Sequence, residues 1–311
     1  MKTHNGANAF SSERQTVVTI GTFDGVHAGH RKIIERLVNA AKAGNLESVI
    51  LTFFPHPRMV LQQESDIKLI HTIEERKQIL SETGIDHLVV HPFTHQFSRL
   101  TALEFVRDIL VNKLKASHVI IGYDHRFGRN RTADITNLKE FGEQFGFEVE
   151  EITKEEVDQV AVSSTKIRKA LQEDRVERAN SYLQQPFSLS GTIIKGRGLG
   201  KDFKFPTANL YIAEEYKLIP KNGVYVARAE IDGEIFFGMM NIGTNPTVGG
   251  EERTIETYFF NLDKDLYGKN LKIEMLVRIR DEKKFDSVDA LKNAMKQDEA
   301  FSKQYIKDNY A

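Results

Sequence analysis

The 311-residue chain is 40% hydrophobic and 28% charged, the make-up of an ordinary soluble globular protein, and it is long enough for two cores. Lys and Arg total 43 against 44 Asp and Glu, so no global field draws the chain to nucleic acid or to an anionic membrane, and any phosphate chemistry must be local. With no cysteine, no signal-like start in residues 1–15 and no run near the roughly 20 apolar residues of a membrane span, disulfides, thiolate catalysis and Cys-ligated metals are excluded, and the expectation is a cytoplasmic protein, monomeric or weakly oligomeric, that works on small molecules without nucleic acid or membrane.

Val17, Val18 and Ile20 form an apolar, β-branched strand candidate. Ile33, Ile34, Leu37, Val38 and Ala41 share one face of the helix that follows, which Gly44 is expected to close. Between them, residues 20–30 read Ile-Gly-Thr-Phe-Asp-Gly-Val-His-Ala-Gly-His: a strand end, a glycine-bearing turn and a helix start. His27 and His30 are three residues apart and project from the same face if both lie in the first turn. Backbone N–H groups at a helix start favour anions, and two imidazole donors beside them suit a polyphosphate whose charge grows during transfer. A strand–Gly–helix junction is common without any ligand. Imidazoles at a helix start, however, make poor core and poor caps, which favours a functional reading of the pair.

Residues 49–54 form a second strand, stopped by Phe54-Pro55-His56-Pro57-Arg58, whose prolines hold His56 and Arg58 on a loop at the strand's C-terminal end. Thr72 with Glu75, and Thr101 with Glu104, read as capping boxes; the first helix reaches about Thr83, before Gly84. Residues 87–90 and 119–121 are further strands, the latter followed by Gly122-Tyr123-Asp124-His125-Arg126-Phe127-Gly128, and residues 147–152 are a fifth. Alternation of strands and helices predicts an α/β domain with a parallel sheet, right-handed crossovers and a ligand crevice above the strands' C-terminal ends. Ser163-Ser164-Thr165-Lys166-Ile167-Arg168 then opens another helix. It reads either as a simple N-cap or as a phosphate clamp of hydroxyls, N–H groups and Arg168.

Beyond Pro186 the pattern becomes β-rich, which puts a domain boundary at 185/186. Strands are expected at 188–195, 223–231, 234–242, 254–261 and 271–281, with Asp232-Gly233 as a type I′ turn, then a helix from Ser287 to about Lys307. An antiparallel β-barrel with one trailing helix is the natural closure. Residues 191–209 combine Gly196 and Gly198 with the Thr207 hydroxyl and the Asn209 amide oxygen, donors suited to Mg²⁺ and phosphate oxygens. Glu256 is a carboxylate in an otherwise apolar strand, either a paired structural charge or a base for a primary alcohol.

Gly21-x-Phe23-Asp24-Gly25-x-His27-x-Gly29-His30, followed in order by Ser163-Ser164-Thr165-x-Ile167-Arg168, resembles the two signatures of the bacterial bifunctional riboflavin kinase/FMN adenylyltransferases, or FAD synthetases. Phe205-Pro206-Thr207-Ala208-Asn209, Asn241-Ile242-Gly243-Thr244-x-Pro246-Thr247, Ile255-Glu256-Thr257-Tyr258 and Asp265-Leu266-Tyr267-Gly268 resemble the riboflavin kinase module. The resemblance implies a Rossmann-like nucleotidylyltransferase domain over residues 1–185 and a kinase barrel over 186–311. ATP would be the co-substrate, Mg²⁺ the cofactor, and riboflavin, FMN and FAD substrates or products. His27, His30, Arg168 and Glu256 would be catalytic. Gly21, Thr22, Phe23, Asp24, Gly29, Asp124, Ser163, Ser164, Thr165, Gly196 and Gly198 would lie at nucleotides, and Thr207 and Asn209 at the metal. Phe54, His56, Arg58, Arg126, Phe127 and Arg280 are flavin neighbours by position. Lys201 and Lys204 stand where riboflavin kinases usually carry arginine and glycine. This leaves two alternatives beside the bifunctional enzyme: an adenylyltransferase with an inactive barrel, and a non-catalytic flavin or nucleotide sensor.

Overall fold

Strands rich in Val, Ile and Leu, shielded on both faces, build the first of two units, Met1–Ser164, around a six-stranded sheet in the order β1-β4-β3-β2-β5-β6. This computed structural model describes every residue except 63–65, 124, 154–161, 197–206, 248–249 and 311; for 245–247 and 250–252 only the backbone is described. The strands are β1 (Lys2–Asn5), β2 (Thr16–Ile20), β3 (Glu47–Phe53), β4 (His87–His91), β5 (Ala116–Gly122) and β6 (Glu148–Ile152), and all pair in parallel. β1 is absent from the sequence-based expectation. It is a short, polar, largely exposed edge strand with no apolar alternation to betray it.

Alternation along each strand sends Val17 and Ile50 to one face, where α1 (Ala28–Gly44) and α3 (Ile73–Ser81) pack through Leu37 and Ile79. Val18, Leu51 and Phe53 face the other side, against π-helical Phe105–Val111 and α5 (Ile135–Phe145). Each such side chain stabilises the fold by about 1.5–3 kcal/mol. Both expected capping boxes form, Thr72–Glu75 ahead of α3 and Thr101–Glu104 ahead of α4 (Ala102–Glu104), which leads into the π-helical turns. α1 runs through Gly44 and is closed instead by left-handed Asn45 (φ 52), a residue whose short amide tolerates that conformation.

From β2 the chain moves outward through β3 and β4, then crosses back to lay β5 and β6 on the other side of β2. That reversal falls between β2 and β5, and the C-terminal ends of strands at such a point are where open α/β sheets take ligands.

The second unit, Thr165–Ala311, is a closed antiparallel barrel in the order β10-β11-β8-β7-β12-β9. Its strands are β7 (Phe187–Ile194), β8 (Ala208–Tyr211), β9 (Gly223–Ile231), β10 (Glu234–Thr247), β11 (Gly250–Phe259) and β12 (Asn270–Arg280), followed by α8 (Val288–Tyr310). Asp232 (φ 53) and Gly233 (φ 83) make the expected turn between β9 and β10. β8, which the sequence offers only as a chemical motif, adds a strand by pairing with β7 and β11. The units divide at 164/165 rather than at the change of period. The reason is α6 (Ser164–Gln172) and α7 (Val176–Leu183): Asn180 of α7 donates to the Met275 carbonyl at 2.9 Å and accepts from Phe187 N at 2.7 Å, tying the helix to the barrel.

Candidate functional site

The turn after β2 is backbone under tension. Phe23 (φ 48), Gly25 (φ 94) and Val26 (φ 40) all sit in the left-handed region, and for a β-branched residue that conformation persists only when its surroundings over-determine it. Asp24 supplies part of the restraint. Its carboxylate, wholly buried, accepts from Ile70 N at 3.1 Å and His71 N at 3.2 Å, and its carbonyl accepts from the Ser164 hydroxyl at 2.8 Å. Asp24, expected at a nucleotide, is therefore turned toward backbone of its own fold.

The same turn delivers His27 as the N-cap of α1. Its Nδ1 accepts from His30 N at 3.4 Å, which assigns the ring proton to Nε2. The His27 and His30 rings stack, centroids 3.7 Å apart and 17° from parallel, with Phe23 5.0 Å from His30. Glycine makes room for the His27 and Phe23 rings: a Cβ at Gly29 would stand 3.3 Å from His27, and one at Gly21 would stand 3.1 Å from Phe23. The expectation that imidazoles make poor caps and poor core fails at His27, which is both buried and the cap. Burial, then His27, Arg76 and His71, hold His30 well below its ordinary pKa of 6.5, so it is neutral at pH 7. Its Nδ1 is buried without a hydrogen-bond partner among the described residues. Two oriented, stacked imidazoles at a helix start form a preorganised donor site for an anion.

The remaining candidates of the first half separate. His56 is buried and caps α2 (Pro57–Leu61), its Nδ1 accepting from Arg58 N at 3.1 Å, while Arg58 is exposed and Phe54 half-buried. Phe127, expected beside flavin, is a core residue 7% exposed and 5.9 Å from Phe105. Arg126 is exposed, 3.9 Å from Asp134. Ser163 and Arg168 are half-buried and Thr165 is exposed. Asp124 lies outside the described residues.

In the barrel, pairing of β8 with β11 sets Asn209 opposite Glu256, and the Thr207 hydroxyl donates to Glu256 Oε2 at 3.1 Å. Gly196 lies against Asn209 so closely that a Cβ would fall 2.3 Å from its Nδ2. A cavity of about 360 Å³ brings Gly196, Thr207, Asn209 and Thr257 together with Asp265 and Tyr267. Thr257 also lines the cavity, and its hydroxyl is fully buried with no hydrogen-bond partner among the described residues. Hydroxyl and amide oxygens are hard donors, and among the described residues no three His, Asp or Glu converge as an all-protein metal cage. That set fits Mg²⁺, which keeps waters and substrate phosphates in its shell. Gly198, Lys201, Lys204, Phe205 and Pro206 lie outside the described residues. Arg280, expected near flavin, instead clasps Asp298 of α8 with contacts of 2.9 and 2.8 Å.

Sequence reasoning missed Arg76, His71 and Thr257. Arg76 had a readable signal, a cation on the apolar face of α3, three and four residues before Ile79 and Leu80. His71 and Thr257 carry none, because their burial comes from contacts distant in sequence.

A FAD synthetase family model matches residues 9–166 and a riboflavin kinase family model matches residues 183–306. The bifunctional riboflavin kinase/FMN adenylyltransferase of Escherichia coli (strain K12) is 33% identical over 309 residues, 98% of each chain. That of Listeria monocytogenes is 34% identical over 93% of this chain and 92% of the relative. A crystal structure described as a macrolide-efflux protein from Streptococcus pneumoniae aligns with a TM-score of 0.88 and 30% identity, covering 100% of this chain and 99% of that one. Among the described residues no helix is long and apolar enough to cross a membrane.

Proposed function

The chain belongs to the bifunctional riboflavin kinase/FMN adenylyltransferase family, and from that premise we propose that residues 1–185 join ATP and FMN into FAD and pyrophosphate while residues 186–311 phosphorylate riboflavin to FMN, in the cytoplasm. The observation that carries the first assignment is the stacked His27–His30 pair at the start of α1, set beside the reversal point of the parallel sheet.

In adenylyl transfer, an oxygen of the FMN phosphate attacks the α-phosphorus of ATP in line, and the bond to the bridging oxygen breaks as pyrophosphate leaves. The attacking phosphate is already ionised, so no protein nucleophile or base is needed. The His27 Nε2–H and the neutral His30 ring donate to oxygens whose charge grows at the transition state. The resemblance of the second signature is what supports Thr165 and Arg168 as a further hydroxyl and guanidinium for phosphate. Ser164, bonded to the Asp24 carbonyl, holds the turn. Of the flavin-side candidates, exposed Arg58 and Arg126 and half-buried Phe54 have surface open to a ligand.

In riboflavin phosphorylation, Glu256 takes the proton of the ribityl 5′-hydroxyl as that oxygen attacks the γ-phosphorus of ATP and ADP leaves. The Thr207 hydroxyl orients the carboxylate. Thr207 and Asn209 would hold Mg²⁺, which when bound supplies positive charge to the phosphate oxygens. The test is to incubate the chain with ATP, Mg²⁺ and either riboflavin or FMN and to resolve the flavins by chromatography. FMN from the first and FAD from the second are expected. FAD without FMN reduces the chain to an adenylyltransferase, and neither product refutes the enzyme.

A further inference from the structure

Arg76 sits in the first turn of α3, placed there by the Thr72–Glu75 capping box, and is 1% exposed. A buried guanidinium is costly unless its surroundings use it. Here Nη1 donates to the Thr22 carbonyl at 2.7 Å and approaches the Thr52 hydroxyl at 3.4 Å, while Nη2 stands 4.0 Å from Asp24 Oδ1. The Thr52 hydroxyl itself donates to the Thr22 carbonyl at 3.1 Å. These contacts converge on both sides of Phe23, where the left-handed stretch of backbone begins. Asp24, in turn, holds the 70–71 backbone through its carboxylate and Ser164 through its carbonyl. One side chain thus joins α3, β3 and the turn that delivers His27.

We propose that Arg76 is a positioning residue for adenylyl transfer: it touches no reacting atom, but it locks the strained turn of residues 23–26 and thereby sets the His27–His30 pair and the Ser164 hydroxyl. The proposal rests on the adenylyl-transfer reading of this site. Misplacing a transition-state donor by about 1 Å costs about 10²-fold in rate while leaving substrate binding largely in place.

The experiment uses the full chain with Arg76→Met and Thr52→Val, measuring kcat and KM for FAD formation from FMN and ATP and, in the same preparations, riboflavin phosphorylation as a check on the other half. For Arg76→Met the expected result is a fall in kcat of about 10²-fold with each KM within about threefold of wild type and the kinase rate unaltered. Thr52→Val keeps the Arg76–Asp24 pair and removes only the bridging hydroxyl; a fall of about threefold to tenfold in kcat is expected, with the melting temperature lowered by only a few degrees. If Arg76→Met does not fold, Thr52→Val alone decides. Unchanged kcat in whichever variants fold, or a loss confined to KM, overturns the positioning role while wild-type FAD formation preserves the adenylyl-transfer reading. No FAD from wild type overturns both.

Discussion

Replacing Glu256 by Gln separates chemistry from architecture in the barrel. The Thr207 hydroxyl donates to Glu256 Oε2 at 3.1 Å, and an amide oxygen accepts that bond equally well, so the half-buried side chain keeps its partner and its shape. What disappears is basicity. A positioned general base contributes about 10²–10⁴-fold, so riboflavin phosphorylation should fall by that factor, about 2.7–5.5 kcal/mol of transition-state stabilisation. Loss of the charge on a neutral-partner hydrogen bond should alter stability by only about 1 kcal/mol. Initial rates of FMN formation are read by chromatography, with FAD formation from added FMN as the internal control, since that reaction uses other residues. A phosphorylation rate within about fivefold of wild type would refute the reasoning and return Glu256 to a structural charge paired with Thr207.

The first unit should lose stability on acidification. Burial holds both His30 and His91 below the ordinary value of 6.5, so as pH falls through that range the unfolded chain binds protons that the folded chain refuses, and stability present above pH 6.5 is lost below it. Denaturation midpoints taken at about pH 7.5 and about pH 5.5 should fall, and His30→Gln should flatten the slope; an unchanged slope means that His30 is not held neutral. Gly196→Ala would drive a Cβ to 2.3–2.5 Å from three atoms of the Asn209 amide. It should raise the KM for ATP in riboflavin phosphorylation by about tenfold and leave FAD formation alone, and equal losses in both reactions would contradict the local account. Arg280→Ala strands the buried Asp298 carboxylate, whose partner is 28% exposed, and should cost about 2–3 kcal/mol in chemical denaturation of the barrel with little change in riboflavin KM. A raised KM at unchanged stability would restore Arg280 to the flavin site.

Local rules carried much of the fold. Alternating runs of Val and Ile, two capping boxes and an Asp-Gly turn each act over a few residues, so they name strands, helices and a hairpin without knowledge of their neighbours. The same locality made the His27–His30 spacing legible, because residues three apart at a helix start share a face whatever surrounds them. Edge strand β1 and strand β8 escaped, since β1 pairs with residues 85 positions away, and β8 is a four-residue strand held between β7, 15–19 positions away, and β11, 47–49 positions away.

Charged and polar partners were less legible. The sequence offers Asp24 within a signature and His56 and Arg280 by position; the tertiary structure shows what each side chain bonds within the fold, namely backbone amides for Asp24, Asp298 for Arg280 and the start of a helix for His56. A buried polar atom must find a partner, and which partner is available depends on segments brought together only by folding. By itself the sequence determined the α/β half, the barrel half and the imidazole pair where β2 gives way to α1. Only the tertiary structure decided that His30 is neutral, that Thr257 lines the barrel cavity, and that Arg76, through Thr22 and Thr52, grips the turn on which both histidines stand.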